Sequence, residues 1–222
     1  MSFADTLDEA RERFSEALQL LNLLTSMEGD RVGPTTNTDK ALRGLVLILI
    51  YAAVERAVNS TVEEAIYEIS SHSTPSSSCA PAVLSIFHYS KVQAVKDCNC
   101  DKTIPAAAVL ISSAFGRDPI SMEQNPLAFM LQNVDANTML SVANFFGIDG
   151  YTIPTGSAGR LNNLRERRNA IAHGRESASS AGERFNIAEL NNVYNCADTE
   201  VARFVEIIRA HCEGRMYVIG VA

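Results

Sequence analysis

The chain is organised around one unbroken apolar run, Leu45-Val46-Leu47-Ile48-Leu49-Ile50-Tyr51-Ala52-Ala53-Val54. Charged side chains bracket this run, with Arg43 before it and Glu55 and Arg56 directly after it. A helix that crosses a bilayer needs roughly 20 apolar residues, so a run of ten residues is too short to do so. We therefore predict a central helix over about residues 39–70, buried on most sides, and no membrane anchor.

Helical periodicity continues outward from this central helix in both directions. Apolar residues recur at three- and four-residue steps over 3–27 and again over 187–212, which predicts two long amphipathic helices. The other predicted helices are two stretches within 83–114 that are interrupted near Asn99–Pro105, one at 126–146 and one at about 158–173. The fold class is therefore predicted to be all-α, in one domain over residues 1–222.

Three segments are predicted to lie outside the helices. Ser71–Cys79 is rich in serine and contains Pro75, which is typical of a loop. Ser177–Gly182 is predicted to be a small, polar, mobile loop, and residues 216–221 a short strand or an extended tail. We expect residues 75–125 to be an elaboration that packs less tightly than the rest of the domain.

The charge distribution indicates a local binding site for anions. The net charge is −7, which argues against a protein that coats nucleic acid nonspecifically over its whole surface. Between positions 160 and 175, however, five arginines stand against a single acid, Glu166, which gives this stretch a charge near +4. We therefore expect one basic patch on an otherwise acidic molecule.

Cysteine usage favours a reducing compartment. The five cysteines are an odd number in a chain too large to depend on disulfides, and no signal peptide is visible, so we expect reduced thiols in the cytoplasm. The pair Cys98-Asn99-Cys100, with His88 upstream, has one residue between the thiols, too few for the usual zinc knuckle. We therefore predict no metal site and no cofactor.

The basic patch contains a compact set of chemical groups, Arg168-Asn169-Ala170-Ile171-Ala172-His173, followed by Gly174. An arginine stays charged and presents a planar fork to phosphate oxygens, while a histidine can gain or lose a proton near neutral pH. On an ideal helix Asn169 and His173 share one face, and Arg168 approaches from the side. Gly174 is well suited to end that helix.

These groups fit the cleavage of RNA. RNA carries its own nucleophile, the 2′-hydroxyl, so cleavage needs a base, an acid and a cation but no metal. One motif supplies only one histidine, and we predict a homodimer in which two motif helices meet across a two-fold axis. The alternative is a simple helix C-terminus, where His173 and Arg168 interact with the helix dipole and the last carbonyls.

The chain resembles the HEPN superfamily, whose signature is an arginine, a polar residue and a histidine a few positions later. The resemblance is closest to the RiboL-PSP-HEPN type, and a second match is Tyr51-Ala52-Ala53-Val54-Glu55 in the central helix. It covers residues 37–70 and 157–212. It implies a HEPN-type antiparallel helical bundle, with an inserted helical and loop region and a short extended tail, and catalytic roles for Arg168 and His173. Asn169 would orient the histidine or the phosphate.

Two residues of the central helix are candidates for a supporting role. Glu55 follows the apolar run, where an unpaired carboxylate would be costly to bury, so it is expected to form an ion pair. The partner could be Arg43, Arg56 or an arginine of the motif helix. If it is on the motif helix, Glu55 would orient Arg168 or His173. Tyr51 lies one turn earlier and either faces the same cleft or belongs to the core.

Three further arginines could follow the RNA backbone or could simply form a solvated helix face. These are Arg165, Arg167 and Arg175. The other histidines have no comparable companions and are predicted to be surface or packing residues. These are His72, His88 and His211.

The functional prediction is a metal-independent endoribonuclease that leaves a 2′,3′-cyclic phosphate and a 5′-hydroxyl. The resemblance implies a toxin–antitoxin or antiphage setting, with an antitoxin or defence-system protein as a possible partner. The alternative is a non-catalytic HEPN-like module that binds RNA, a nucleotide or a protein. A third possibility is an adaptor that acts through an exposed apolar face.

Overall fold

The computed structural model describes residues 2–29, 33–122 and 124–220. These segments form nine α-helices and no β-strand, which confirms the all-α prediction. The helices are α1 (Phe3–Gly29), α2 (Asn37–Ser71), α3 (Pro81–Phe87), α4 (Tyr89–Asp97), α5 (Cys100–Ala114), α6 (Ala136–Phe145), α7 (Thr155–Ala172), α8 (Ala178–Gly182) and α9 (Ile187–Glu213). Two short 3-10 turns, Ser76–Ser78 and Met130–Asn133, complete the secondary structure of these segments.

Helix α2 is the centre of the fold, as the apolar run predicts. It contacts α1, α7, α8 and α9, and Leu47, Ile50 and Val58 on it are fully buried. The helix begins with a capping box, in which the Thr36 hydroxyl accepts from the Asp39 amide and the Asp39 carboxylate accepts from the Thr36 amide. None of the helices in the described segments has both the length and the apolar character needed to cross a membrane.

The region before α6 differs from the prediction of one helix over 126–146. A 3-10 turn ends at Asn133, Val134 is extended, and α6 begins only at Ala136. Asp135 starts the new helix because its carboxylate accepts a hydrogen bond from the Thr138 amide at 2.8 Å. Apolar periodicity cannot detect this cap, since the cap changes the chain direction without interrupting the apolar pattern.

The interruption within 83–114 is also placed differently from the prediction. Three helices, α3 to α5, occupy this region, and the break before α5 lies at Cys98 and Asn99. Pro105 is inside α5, where it removes one main-chain hydrogen bond, and the alanines that follow it favour a helix. No residue of α4 or α5 is fully buried.

The predicted mobile loop at Ser177–Gly182 is instead an anchored helix, α8. Ser177 caps it, and its C-terminal turn lies directly on α2. The two backbones approach so closely that a Cβ added to Gly182 would lie 2.0 Å from the Lys40 carbonyl oxygen. Arg43 fastens the chain beyond α8, because its Nη1 donates to the Phe185 carbonyl at 2.7 Å. A composition of small polar residues did not reveal this packing.

The C-terminal tail is a packing segment with a single β-bridge. Described residues 214–220 form turns, and Val218 makes an isolated antiparallel bridge with Cys79. Tyr217 is fully buried, and its hydroxyl bonds the Nδ1 of His72 at 2.8 Å. The strand alternative predicted for 216–221 is therefore wrong for residues 216–220, and Val221 lies outside the described residues.

Candidate active site

Helix α7 ends in a Schellman motif that fixes the position of His173. Gly174 is left-handed, with φ of +67°, and its amide donates to the Ile171 carbonyl at 3.0 Å. The Arg175 amide donates to the Ala170 carbonyl at 2.8 Å, which completes the motif. His173 is therefore the capping residue just beyond α7, and the predicted role of Gly174 as the helix terminator is confirmed.

Arg168 points toward α2 and makes three contacts that hold its guanidinium group. Its Nη2 donates to the Glu55 carboxylate at 2.6 Å, and its Nη1 donates to Asn169 Oδ1 at 2.8 Å. The guanidinium carbon lies 4.1 Å from the centre of the Tyr51 ring, in cation–π geometry. The two halves of the family signature, in α2 and α7, are thus in direct contact.

Glu55 therefore takes its partner from the motif helix, one of the three alternatives left open by the sequence. Arg43 pairs instead with Glu28, and Arg56 pairs with Glu9. Tyr51 is fully buried and also contacts Arg168, so it belongs to the core and to this cluster together. Burial, with the nearby Glu55 charge, raises the pKa of Tyr51 to about 12, so the phenol stays neutral.

A cleft of about 720 Å³ opens beside this cluster. Its walls combine α7 with the segment after it and with the 3-10 turn before α6. The lining residues are Asn133, Arg165, Glu166, Arg167, Asn169, Ala170, His173, Arg175 and Glu176. Asn169 joins two of these elements, because its Nδ2 donates to Asn133 Oδ1 at 3.0 Å. Arg168 does not line the cleft, and 20% of its side chain is exposed.

All four histidines lie in the described segments, and among them only His173 has an exposed side chain. Its side chain makes no hydrogen bond or ion pair with any described residue. The other three pack elsewhere, since His72 bonds Tyr217 while His88 and His211 are buried. Burial lowers the pKa of both His88 and His211.

The three arginines predicted to follow RNA differ in their surroundings. Arg165 is bound to the buried carboxylate of Asp135, the cap of α6. Arg167 donates to both oxygens of Glu176, each at 3.2 Å. Arg175 is exposed and has no ion pair within the described segments. Arg175 is thus the freest cation in the cleft, whereas Arg165 already serves the fold.

A second cleft, of about 480 Å³, lies along the same helix and shares Arg167 with the first. Its floor is apolar, formed by residues such as Leu164 and Phe185. Arg160 and Arg184 add positive charge at this cleft, and Arg160 makes no ion pair with a described residue. Basic side chains therefore extend along α7 well beyond the family motif.

The five cysteines are free thiols. Within the described segments no three histidine, cysteine or acidic residues come together as metal ligands. Cys98 Sγ donates to the Val95 carbonyl at 3.3 Å, and Cys100 is exposed. Burial raises the pKa of Cys212 to about 12, so this thiol remains protonated.

Three residues of the site were not predicted from the sequence. Asn133 and Asp135 belong to a segment in which we found no motif, and Glu176 lies just after the basic patch. The sequence Asp135-Ala136-Asn137-Thr138 begins with a residue that is favoured at helix N-caps, and this signal could have located the start of α6. No comparable local signal identifies Asn133, because its partner Asn169 is 36 positions away.

The two segments that resemble the HEPN signature, one in α2 and one in α7, are brought into contact by the ion pair of Glu55 and Arg168. The chain belongs to the RiboL-PSP-HEPN family, whose model matches residues 8–210. No curated protein and no solved structure matches the chain significantly. The match confirms the resemblance found at the two motifs and extends it through residues 75–150, where no motif was found. The superfamily is one of the nuclease and ribonuclease type.

Proposed function

We propose that the protein is a metal-independent endoribonuclease that cleaves RNA by attack of the 2′-hydroxyl. The observation that carries the proposal is the cluster of Tyr51, Glu55, Arg168 and Asn169 at the edge of a cleft that also contains the exposed His173. A fixed cation, a carboxamide and a titratable imidazole are the groups that this reaction requires.

The chemistry assigns one task to each group. A base removes the proton of the 2′-hydroxyl, the 2′-oxygen bonds to phosphorus, and the bond from phosphorus to the 5′-oxygen breaks. An acid then protonates the leaving 5′-oxygen, which gives a 2′,3′-cyclic phosphate and a 5′-hydroxyl. His173 is the proton carrier in this scheme. Arg168 supplies the positive charge that offsets the extra negative charge at phosphorus; it does not line the cleft and is held behind Asn169, to which its Nη1 donates.

The size of the basic surface supports a polymeric substrate. The two clefts share Arg167, and Arg160 and Arg175 lie at opposite ends of this surface. A single phosphate would occupy only one cleft, whereas an RNA strand can follow the arginines of both. We propose that Arg167 and Arg175 contact the backbone, while Arg165 acts through Asp135 as a structural residue.

The assay uses purified protein and RNA in EDTA, with His173→Ala, Arg168→Ala and the control Arg11→Ala, an exposed arginine on α1. We expect the two site variants to lose activity by about 100-fold or more, because acid–base catalysis by His173 and charge stabilisation by Arg168 each contribute about that much. Arg11→Ala should match the wild type. Products should carry a 5′-hydroxyl, and a 2′-deoxy substitution at the cleaved position should stop the reaction. Equal activity in all four proteins would contradict the mechanism.

The missing second proton carrier supports a homodimer with α7 at its interface. Only one of the four histidines reaches the cleft, and the exposed end of α7 could meet a second copy. We therefore expect specific activity to fall on dilution. After subunit exchange, excess His173→Ala protein should inhibit the wild type, and excess Arg11→Ala protein should not. Full activity at dilutions where light scattering detects only monomer would contradict a shared site.

A second candidate function is a non-catalytic module that binds RNA or a nucleotide. The observation in its favour is that Arg168 is already bonded to Glu55 and Asn169 and does not line the cleft. Binding of RNA by the wild type, without cleavage between pH 5 and 9, would support this function.

Family membership supports a toxin–antitoxin or antiphage role, with the antitoxin or another defence protein as partner, in the cytoplasm. Under that proposal, induced expression should slow bacterial growth, and His173→Ala should relieve the effect. Equal toxicity of both proteins would contradict it. We also propose that residues 1–222 act as one domain in which 75–125 is an elaboration.

A further inference from the structure

A continuous hydrogen-bond chain runs from α2 across α7 to the 3-10 turn before α6. Glu55 accepts from Arg168 at 2.6 Å, Arg168 donates to Asn169 at 2.8 Å, and Asn169 contacts Asn133 at 3.0 Å. Three separate parts of the sequence therefore meet in one set of side chains. The last member, Asn133, is exposed and lines the cleft that contains His173.

The direction of each bond in this chain is fixed by Arg168. A guanidinium group has donors and no acceptor, so the Asn169 atom that faces Arg168 must be its carbonyl oxygen. The Nδ2 group of Asn169 is then on the other side and can only donate, which makes Asn133 Oδ1 the acceptor. Neither amide can rotate by half a turn without placing a donor against a donor.

The free end of this hydrogen-bond chain is consequently the Nδ2 group of Asn133, which carries two N–H donors. With its oxygen bonded to Asn169, Asn133 has its Nδ2 group left, and this group makes no hydrogen bond to any described residue. The orientation of this donor is fixed by the positive charge of Arg168, which is bonded to Asn169, which in turn is bonded to Asn133. It also comes from a different element than His173, so the two groups can approach a ligand from different directions.

We infer that the Asn133 amide group donates a hydrogen bond to a non-bridging oxygen of the RNA phosphate in the cleft. The inference rests on the proposed function and adds a substrate-contacting residue outside the family motif. A preorganised neutral donor of this kind stabilises charge that develops at phosphorus, in the same way that amides stabilise other oxyanions. Because it contacts the phosphate and not a base, its effect should be the same for RNAs of different sequence.

The decisive comparison is Asn133→Asp against Asn137→Asp. An aspartate at 133 retains an oxygen that accepts from Asn169 and replaces the donor by a negatively charged oxygen. Asn137 is exposed on α6, four residues away, and does not line the cleft, so it makes the same chemical change outside the site. Two measurements are needed: the cleavage rate of RNA, and the affinity for a 2′-O-methyl RNA that cannot be cleaved.

We expect Asn133→Asp to lower the cleavage rate by about 100-fold, as for other single oxyanion donors, and to weaken binding of the 2′-O-methyl RNA. Asn137→Asp should match the wild type in both, and both variants should melt at the wild-type temperature. If the wild type binds RNA but does not cleave it, the proposed function fails, and weaker binding by Asn133→Asp alone still supports the inference.

Three results would overturn the inference. In the first, Asn133→Asp and Asn137→Asp behave alike in cleavage and binding, although the wild type cleaves RNA. In the second, Asn133→Asp changes which sequences are cleaved, which would indicate contact with a base. In the third, the wild type binds no RNA at all, which would also remove the proposed function.

Discussion

Arg168 is the residue on which the candidate site depends. It connects the central helix to Asn169 and lies against the Tyr51 ring, so one side chain joins packing, charge and hydrogen bonding. Its pairing with Glu55 is partly exposed, with 20% and 27% of the two side chains accessible. The pair should therefore matter more for geometry than for the stability of the fold.

A double-mutant cycle with Glu55→Gln and Arg168→Gln tests whether the pair contributes more to the geometry of the site than to the stability of the fold. We expect a coupling free energy of about 1 kcal/mol or less in urea unfolding, because solvent screens the pair. Glu55→Gln should nevertheless reduce RNA cleavage strongly, since Arg168 and Asn169 lose their orientation. A coupling several times larger, with cleavage unchanged, would show that the pair serves stability alone.

Gly174 offers a second prediction at the scale of single residues. Gly174→Ala places a Cβ in the left-handed region and should cost about 1 kcal/mol in the free energy of unfolding. Gly159 is a matched control within α7, where an added Cβ would touch nothing within 4 Å. Gly159→Ala should stabilise the protein by roughly 0.5–1 kcal/mol. If both substitutions changed the free energy of unfolding in the same direction, the Schellman motif at Gly174 would be contradicted.

At the scale of elements, the short helix α8 determines how the segment after the motif is held. Helix α8 packs on α2 where Gly182 of α8 approaches Gly44 of α2. Arg43 of α2 also donates a hydrogen bond to the Phe185 carbonyl, just after α8. The motif helix is thereby followed within six residues by an anchored element. The position of His173 is thus supported from both sides.

Gly182→Ala should disturb this packing, because the added Cβ would lie 2.0 Å from the Lys40 oxygen and 2.6 Å from the Gly44 nitrogen. Overpacking of this kind costs roughly 1–3 kcal/mol. We expect a lower melting temperature in calorimetry and faster proteolysis after α7. Gly156→Ala, whose Cβ would meet only the end of Arg160 at 3.5 Å, should not lower the melting temperature. Unchanged melting of Gly182→Ala would contradict the described approach of α8 to α2.

The elements that the sequence predicted well are those with long apolar periodicity. The central helix and the helices at 3–27 and 187–212 extend by at most a few residues beyond their predicted ends. Two of the failures, at 126–146 and 177–182, arise where a side-chain cap or a pair of glycines sets the structure. In the site, the pairing of Glu55 was open to three arginines, and Asn133 was missed because its contact is set by packing between distant segments.

At the scale of the whole molecule, two buried histidines link stability to pH. His211 and His88 are each less than 10% exposed, and burial lowers the pKa of both below the usual value of 6.5. The unfolded chain therefore binds more protons than the folded one as pH falls through 6.5. The histidine contribution to stability is complete above pH 6.5 and is lost progressively below it.

Urea unfolding at pH 7.5 and 5.5 tests this linkage. We expect a smaller free energy of unfolding at pH 5.5, and a weaker dependence on pH in a folded His88→Asn variant. A free energy that is constant, or larger at pH 5.5, would show that these histidines do not control stability in this range.

The pairing of Glu55 with Arg168 spans 113 positions, and it has a consequence for synthesis of the protein. Helix α2 emerges from the ribosome long before α7 is synthesised. Tyr51 and Glu55 therefore lack their arginine partner while about half of the chain is translated. A chain that stops before residue 168 cannot form the cluster. Any activity that depends on it is therefore absent from nascent chains that have not reached residue 168 and from chains truncated before it.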